Sequence, residues 1–270
     1  MLTTRCNHPL NSIRKFLYVA LGCAALGGTA HGQVEQSRPD KPVYGADNAN
    51  LPDAIAKVGS GEFGAVHLEL IAKSHAVQTI PVLEKQFTNS SDPTIKGKIA
   101  DALVRLGDKN NDYWDFLVKE ATPAVESDAP PLVPSDSQQG PSPEFIAWAK
   151  AHNVTTDSAL GTMYQLSINV LFLAETGDPR GIPLLRRALF APSFMTQAYA
   201  AEGLALAQDK DSIPLIIEAC KRSPTASLAI AESLVYFDDP RAQNAVDTYI
   251  PKDFAKSLRE ARAKGKTPFQ

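Results

Sequence analysis

The chain has 270 residues, of which 44% are hydrophobic and 7% aromatic, and its formal net charge is −3. This hydrophobic content excludes a chain that is disordered throughout. The mildly acidic balance argues against a DNA- or RNA-binding surface, because phosphate contacts need a basic face. Segments rich in Ala, Leu and Ile with few aromatics favour closely packed helices over a β-sandwich.

The N-terminus has the pattern of a secretory signal peptide. Three basic residues precede the short apolar stretch 16–26, and Ala30-His31-Gly32 then offers small residues at the two positions that a signal peptidase recognises. The sequence therefore predicts a signal peptide over residues 1–32, cleavage before Gln33 and a periplasmic or extracellular protein. We expect no stable membrane insertion once the signal is removed.

Two alternatives for the N-terminus remain open at the level of sequence. The apolar stretch could stay as a membrane anchor, although it is shorter than the roughly 20 residues of a comfortable span. Cys23 could carry a lipid, although the residue three positions before it is Ala20. Removal of residues 1–32 takes away three basic and no acidic residues, which changes the net charge from −3 to −6. Cys220 is then the last cysteine, so no internal disulfide can form.

Residues 33–50 are polar and lack an apolar period, which predicts a flexible lead-in. Helical patterning begins near Leu51. From there, five stretches share one pattern, aligned on an anchor residue that ends each of them. The anchors are Ala76, Asp108, Asp178, Asp209 and Asp239.

A large aliphatic residue lies five positions before every anchor, and a smaller apolar residue lies four positions before it. Three of the four intervals between anchors are 30 to 32 residues long. Self-similarity at this period indicates stacked supersecondary units, none of which buries its apolar face alone. The sequence predicts a pair of helices in each unit.

The first helix of a pair is predicted to open at an Ile-Pro dipeptide, as at Ile213-Pro214, with Ser212 as its N-cap. The second helix is an Ala/Leu-rich segment that ends near the anchor. The predicted second helices are 95–106, 161–176, 195–207 and 228–237. Gly107 and Gly177 lie where a helix end favours a left-handed residue.

The segments VRLGDK, LAETGDPRGIPLLRRAL, LALAQDKDSIPLIIEA and LVYFDDPRAQNAV resemble HEAT repeats, in the short form named after phycobilisome lyases. The resemblance covers roughly residues 63–246. It implies an all-α fold, an α-solenoid of about five stacked antiparallel helix pairs, here assigned to residues 51–250. Members of the family are mostly scaffolds and adaptors, with a minority of enzymes, so the resemblance says little about function.

The interval between Asp108 and Asp178 is 70 residues, which is roughly forty more than one repeat. We predict an insertion over about 122–156. Its first part, 122–143, is rich in proline and is expected to be a loop. Insertions in repeat proteins map to loops on one face, and long loops are often functional.

A helix is predicted directly after this loop, with Ser142 as its cap. Phe145, Trp148 and His152 lie on one face of it, together with two smaller apolar residues. Because aromatic side chains carry much of the energy at interfaces, these three residues are the candidate partner-binding site. The alternative is a decoration whose aromatic side chains only dock on the repeats.

Residues 251–270 are predicted to form a charged helix and a tail in which basic residues dominate. A polar terminal cap suits a repeat protein. A basic patch for an acidic partner is the alternative.

The sequence offers no clear catalytic or metal motif. Gly59-Ser60-Gly61-Glu62-Phe63-Gly64 matches a dinucleotide-binding pattern, but no βαβ unit surrounds it, so we expect a turn before a helix. His67 and His75 are too few for a metal site, and Cys220 lies in an apolar helix as a buried thiol would. We predict no cofactor and no enzymatic activity.

The leading hypothesis is an exported scaffold or adaptor that binds another protein. The alternatives are a lyase-like or accessory protein that acts on a prosthetic group such as a tetrapyrrole, which only the family resemblance implies, and a structural spacer of the cell envelope.

Overall fold

The structure is a computed structural model that describes residues 50–132 and 140–269. The predicted signal peptide and most of the predicted lead-in lie outside the described residues. All regular structure in the described part is helical, and one isolated bridge pairs Leu132 with Ser193. The prediction of an all-α fold is confirmed.

Thirteen α-helices occur in the described ranges. They are α1 (Leu51–Ser60), α2 (Ala65–Lys73), α3 (Ile80–Asn89), α4 (Pro93–Arg105), α5 (Asn111–Glu126), α6 (Pro143–Ala151), α7 (Thr156–Glu175), α8 (Ile182–Ala188), α9 (Phe194–Leu206), α10 (Ile213–Arg222), α11 (Ser227–Ala231), α12 (Pro240–Tyr249) and α13 (Lys252–Ala263). Short 3-10 segments cover Val77–Thr79, Pro179–Gly181, Lys210–Ser212 and Glu232–Tyr236.

The predicted second helices correspond to α4, α7 and α9, and the last of them is divided into α11 and a 3-10 segment. Three first helices, α3, α8 and α10, begin at the isoleucine of an Ile-Pro pair. Proline is tolerated in this first turn because its missing N–H would have no partner inside the helix. A 3-10 turn precedes each of these three helices.

The repeated pattern corresponds to one way of ending a helix. The residue before the anchor is left-handed at His75, Gly107, Gly177 and Gln208. At Ala76, Asp108 and Asp209 the anchor's own N–H then donates to the carbonyl of the aliphatic residue five positions earlier, as from Asp108 to Leu103 at 3.1 Å, whereas the N–H of Asp178 donates to the Thr176 hydroxyl. The bond to the aliphatic residue satisfies a carbonyl that the end of the helix leaves without a partner.

The anchor side chains form the turn into the next helix. Asp178 accepts from the N–H of Arg180, and Asp239 accepts from the N–H of Arg241, both at 2.9 Å. Each arginine also reaches back to the turn of the preceding pair, where Arg180 contacts Asn111. The aspartates therefore cap their turns, as sequence reasoning predicts for this residue type.

The turn at Asp209 differs from those at the other anchors. The prediction that the Ser212 side chain caps α10 is wrong. Ser212 makes no capping bond to α10. Its hydroxyl donates to the Asp209 carboxylate and accepts from Nε of Arg186 at 2.8 Å. The 3-10 turn that precedes α10 places Ser212 with helical backbone angles, so its side chain points toward Asp209 instead of toward the N–H groups of the helix.

The second helices pack on one another in chain order: α2 on α4, α4 on α7, α7 on α9, and α9 on α11. The first helices pack on the second helices of their own pairs, for example α3 on α4 and α8 on α9. One apolar core runs through these contacts from Ala54 to Ala255. Small residues allow the close approaches, because a Cβ added to Gly203 would lie 2.6 Å from the Cβ of Ala174.

The insertion begins later than predicted. Helix α5 continues through Pro123 to Glu126, so the prediction of a loop from residue 122 is wrong over its first five residues. Buried Ala121 and Ala124 lie on either side of the proline. Their packing holds the helix together where proline alone would favour its end.

The C-terminal helix α13 packs by Phe254, Ala255 and Leu258 against the core, and its charged residues face outward. None of the helices in the described ranges combines the length and the apolar character needed to cross a bilayer.

Candidate functional site

The inserted helix α6 is held by a small core of its own. Phe145 is completely buried, and its neighbours in this core include Leu132, Ala149 and Met163. The Ser142 hydroxyl caps the helix by accepting from the N–H of Phe145 at 3.2 Å, as predicted. Because the Phe145 ring is buried, it supports the helix and is not an exposed anchor for a partner.

Trp148 and His152 lie at the surface of α6 and share one neighbour, Asp128. The indole Nε1 of Trp148 donates to the Asp128 carboxylate at 3.0 Å, and Nε2 of His152 lies 3.6 Å from the same group. The two rings are tilted by 39° with centroids 4.6 Å apart. Nδ1 of His152 lies 2.9 Å from the carbonyl of Trp148, which can only accept, so this nitrogen carries a proton. Asp128 thus fastens the start of the proline-rich loop to α6.

Exposed apolar side chains are concentrated around this helix. Six large apolar side chains are exposed in the described ranges, and three of them, Ile146, Val154 and Tyr164, fall within nineteen residues of the chain. Ile146 is 47% exposed. Such grouping, beside a tryptophan with a polar tip, is typical of a protein interaction surface. Helices α6 and α7 follow one another through a short turn and form a helical hairpin; we call its exposed Ile146, Val154 and Tyr164, with the partly buried Trp148, the hairpin patch.

A second unusual feature is a buried network of five charged residues on three second helices. Glu69 lies on α2; Lys98, Asp101 and Arg105 lie on α4; and Glu175 ends α7. The Lys98 ammonium is bonded to three carboxylates, at 2.8 Å from Glu69, 2.8 Å from Asp101 and 2.5 Å from Glu175. The side chain of Lys98 is only 6% exposed, and that of Asp101 is fully buried. We call these five residues the charge network.

Arg105 completes the charge network. Both terminal nitrogens of its guanidinium bond Glu69, at 2.8 and 3.1 Å, and Nη1 also lies 3.4 Å from Asp101. Three carboxylates against two cations leave a formal charge of −1 when all five groups are ionised. Oδ1 of Asp101 is buried and has no hydrogen-bond partner in the described part of the chain.

The environment shifts the pKa values of Glu175 and Glu69 in opposite directions. Burial raises the pKa of Glu175 to about 7; the Lys98 ammonium opposes this rise, while Asp101 and Glu69 add to it. Burial also acts on Glu69, but Arg105 and Lys98 outweigh it and hold the pKa of Glu69 well below its usual range. Burial alone would lower the pKa of Lys98, yet the three carboxylates around its ammonium raise it.

The charge network does not provide an open metal site. Oxygens of Glu69, Asp101 and Glu175 lie within 4.8 Å of one another, as metal ligands would. However, the Lys98 ammonium is bonded to all three carboxylates and supplies the positive charge there. Lys98 thus occupies the position between the three carboxylates that a metal ion would need.

The remaining sequence candidates have structural roles. Nδ1 of His67 accepts from the N–H of Gly64 at 3.0 Å, at the turn where the glycine-rich segment leads into α2. Cys220 is buried, and burial raises the pKa of its thiol to about 12, so it is a poor nucleophile.

The basic residues of α13 are partly paired within the chain. Arg259 lies 3.1 Å from Asp247, and Arg262 lies 2.7 Å from Asp238. A shallow cavity of about 410 Å³ is lined by both arginines and by Gln243. Because both guanidinium groups already face carboxylates, this region is a weak candidate for binding an acidic partner.

Sequence reasoning missed the charge network, although the sequence contains a signal for it. An acidic residue lies seven positions before four of the five anchors, at Glu69, Asp101, Glu202 and Glu232, and all but the first of these are buried. Charged residues that recur on the packing side of apolar helices indicate a buried ionic feature. The spacing of these acidic residues does not indicate which lysine or arginine side chains pair with them.

Comparison with protein-family models and with curated proteins finds no match for this chain.

Proposed function

We propose that the protein is an exported α-solenoid of HEAT-like repeats that binds another protein through the hairpin patch. The grouping of exposed apolar side chains on and beside α6 is the observation that carries this proposal. Single exposed apolar side chains are normal on any protein surface, whereas several in one stretch of chain favour a binding role.

The solenoid assignment is supported by the order of helix contacts. Each second helix packs on the second helix of the next pair, and a residue in the left-handed conformation precedes four of the five anchors. Contacts limited to neighbouring pairs are characteristic of repeat proteins. An insertion in one pair then extends from the repeats and is available to a partner.

The test is site-specific photocrosslinking in the native host, with the crosslinking amino acid at position 146. We expect a specific envelope or secreted protein to be captured from this position. The variant Val154→Ser with Tyr164→Ser should abolish the capture, because it removes exposed apolar contact area and leaves the small core around Phe145 unchanged.

The matched control is a crosslinker at position 77, where Val77 is 54% exposed and lies far along the chain from the insertion. The proposal fails if both positions capture the same proteins, or if the double variant retains its partner while circular dichroism shows an intact fold. In that case the envelope spacer and the protein that acts on a prosthetic group are the remaining alternatives. The absorbance spectrum after addition of a tetrapyrrole distinguishes them, because a shift is expected only for the second.

The export part of the proposal is supported by the basic, apolar and small-residue order of positions 1–32. Mass spectrometry of the protein from its native host tests it. A chain that starts at Gln33 supports export with cleavage, whereas an uncleaved or lipid-modified chain would point to the anchored alternatives.

A further inference from the structure

The charge network joins the N-terminal helices to the helix that supports the insertion. Glu69 belongs to α2 and Glu175 to α7, and both bond the Lys98 ammonium of α4. The side chains of Lys98 and Glu175 are only 6% and 12% exposed. At such sites charges interact strongly, and an unbalanced charge is costly.

The two cations are shared unequally among the three carboxylates. Glu69 receives bonds from both Lys98 and Arg105, and so does Asp101. Within the described ranges, Glu175 receives a bond from Lys98 alone. Of the three acids it therefore has the least compensation by cations, and it is the one on which a proton relieves the excess charge.

We infer that Glu175 is a proton switch in this joint: proton uptake balances the charge network and holds α7 on α4, and proton loss leaves a buried negative charge that loosens this packing. A protonated Glu175 still accepts the Lys98 bond through its carbonyl oxygen, so the geometry persists in the neutral form.

The other charged groups near α7 make their ion pairs elsewhere. On α8, Arg186 pairs with Asp209, and Arg187 lies 3.7 Å from Glu126 of α5. On α9 the acidic residue is Glu202, which is buried and also makes an interaction of its own. On α2, Lys73 lies 3.3 Å from Glu69, but its side chain is 41% exposed, so solvent screens its charge and the buried part of the network keeps its excess of one negative charge. Glu175 thus remains the carboxyl with one cation contact in the network.

The direction of the pH effect follows from the pKa of Glu175, which burial raises to about 7 from an ordinary value of 4.5. Between these values the folded chain holds a proton that the unfolded chain releases, so protonation favours folding. This stabilisation is fully present below pH 4.5 and is lost as the pH rises through about 7. The low pKa of Glu69 acts in the opposite sense and at more acidic pH.

The first test uses the infrared C=O band of a protonated carboxylic acid in the wild-type full chain. We expect the band of one carboxyl at pH 6 that disappears by pH 8, because other carboxyls of ordinary pKa are ionised throughout this range. Absence of this band at pH 6 would overturn the inference, and the measurement needs no variant that has to fold.

The second test compares urea unfolding midpoints of the wild type and Glu175→Gln from pH 5.5 to 8.5. Gln mimics the neutral acid, so the midpoints of the two proteins should agree at pH 5.5. At pH 8.5 the wild type should unfold at a lower urea concentration than Glu175→Gln. The difference in midpoint between the two proteins at each pH is the relevant quantity, because the rest of the chain is identical in both.

The control variant is Glu144→Gln, since Glu144 is an exposed carboxyl at the start of α6. It should follow the wild type at every pH. A midpoint difference between the wild type and Glu175→Gln that stays constant across the range would contradict the switch.

Discussion

Lys98 shows how strongly one residue can depend on its surroundings. Its ammonium is nearly inaccessible to solvent and is bonded to three carboxylates from three helices. A buried ion pair adds little net stability when complete, but removing one partner leaves an uncompensated charge in a poorly hydrated place. The stability contribution of Lys98 is therefore best measured by removing it, because its removal leaves the carboxylates without their main cation partner.

We predict that Lys98→Met lowers the free energy of unfolding by about 3–5 kcal/mol at pH 7, because the three acids would then have only Arg105 and the exposed Lys73 as cation partners. Urea unfolding at that pH measures it. Exposed Lys85→Met is the control, expected within about 0.5 kcal/mol of the wild type. A loss for Lys98→Met no larger than that of the control would mean that water already compensates these carboxylates.

At the scale of the helices, the close contact between α7 and α9 depends on Gly203, which has no side chain. A Cβ on Gly203 would lie 2.6 Å from the Cβ and 2.9 Å from the Cα of Ala174. The second of these atoms belongs to the backbone, so a rotamer change cannot relieve the overlap. The two helices would have to move apart, which disturbs the core on both sides.

We predict that Gly203→Ala destabilises the protein by about 1–3 kcal/mol. The matched control is Gly161→Ala in α7, where an added Cβ meets no atom of the described residues within 4 Å. That change should stabilise the chain by about 0.5–1 kcal/mol, because alanine favours a helix over glycine. Thermal or urea unfolding measures the change in stability of each variant. If both variants were stabilised, or both destabilised, the close-packing argument would be refuted.

At the scale of the whole molecule, one continuous apolar core links the helices from α1 to α13, and α6 has a small core beside it. Cys220 is part of the main core, and its thiol donates to the carbonyl of Ser227 at 3.6 Å. Its accessibility therefore reports the opening of the molecule.

We predict that the Cys220 thiol, in a chain with Cys6→Ser and Cys23→Ser, reacts with a disulfide reagent at least about a thousandfold more slowly in the native than in the urea-unfolded state. Burial and the high pKa of the thiol both act in this direction. The two rates can be compared directly by absorbance. Fast native labelling would mean that α10 opens locally, without global unfolding.

The sequence by itself determined the helical class, the places where the helices end and the cap of α6. These features follow from local chemistry: left-handed residues and anchors at helix ends, proline in the first turn, and a serine that reaches N–H groups three residues away. Such interactions join residues that are close along the chain, so their pattern is visible without a fold.

Tertiary structure alone decided the rest. It buried Phe145 while leaving Ile146 exposed, carried α5 past Pro123 and turned Ser212 from the predicted cap into a partner of Arg186. It also brought Glu69, Lys98 and Glu175 together across 106 residues of sequence. Burial and long-range charge pairing depend on which helices become neighbours, and the periodicity of a single chain does not contain that information.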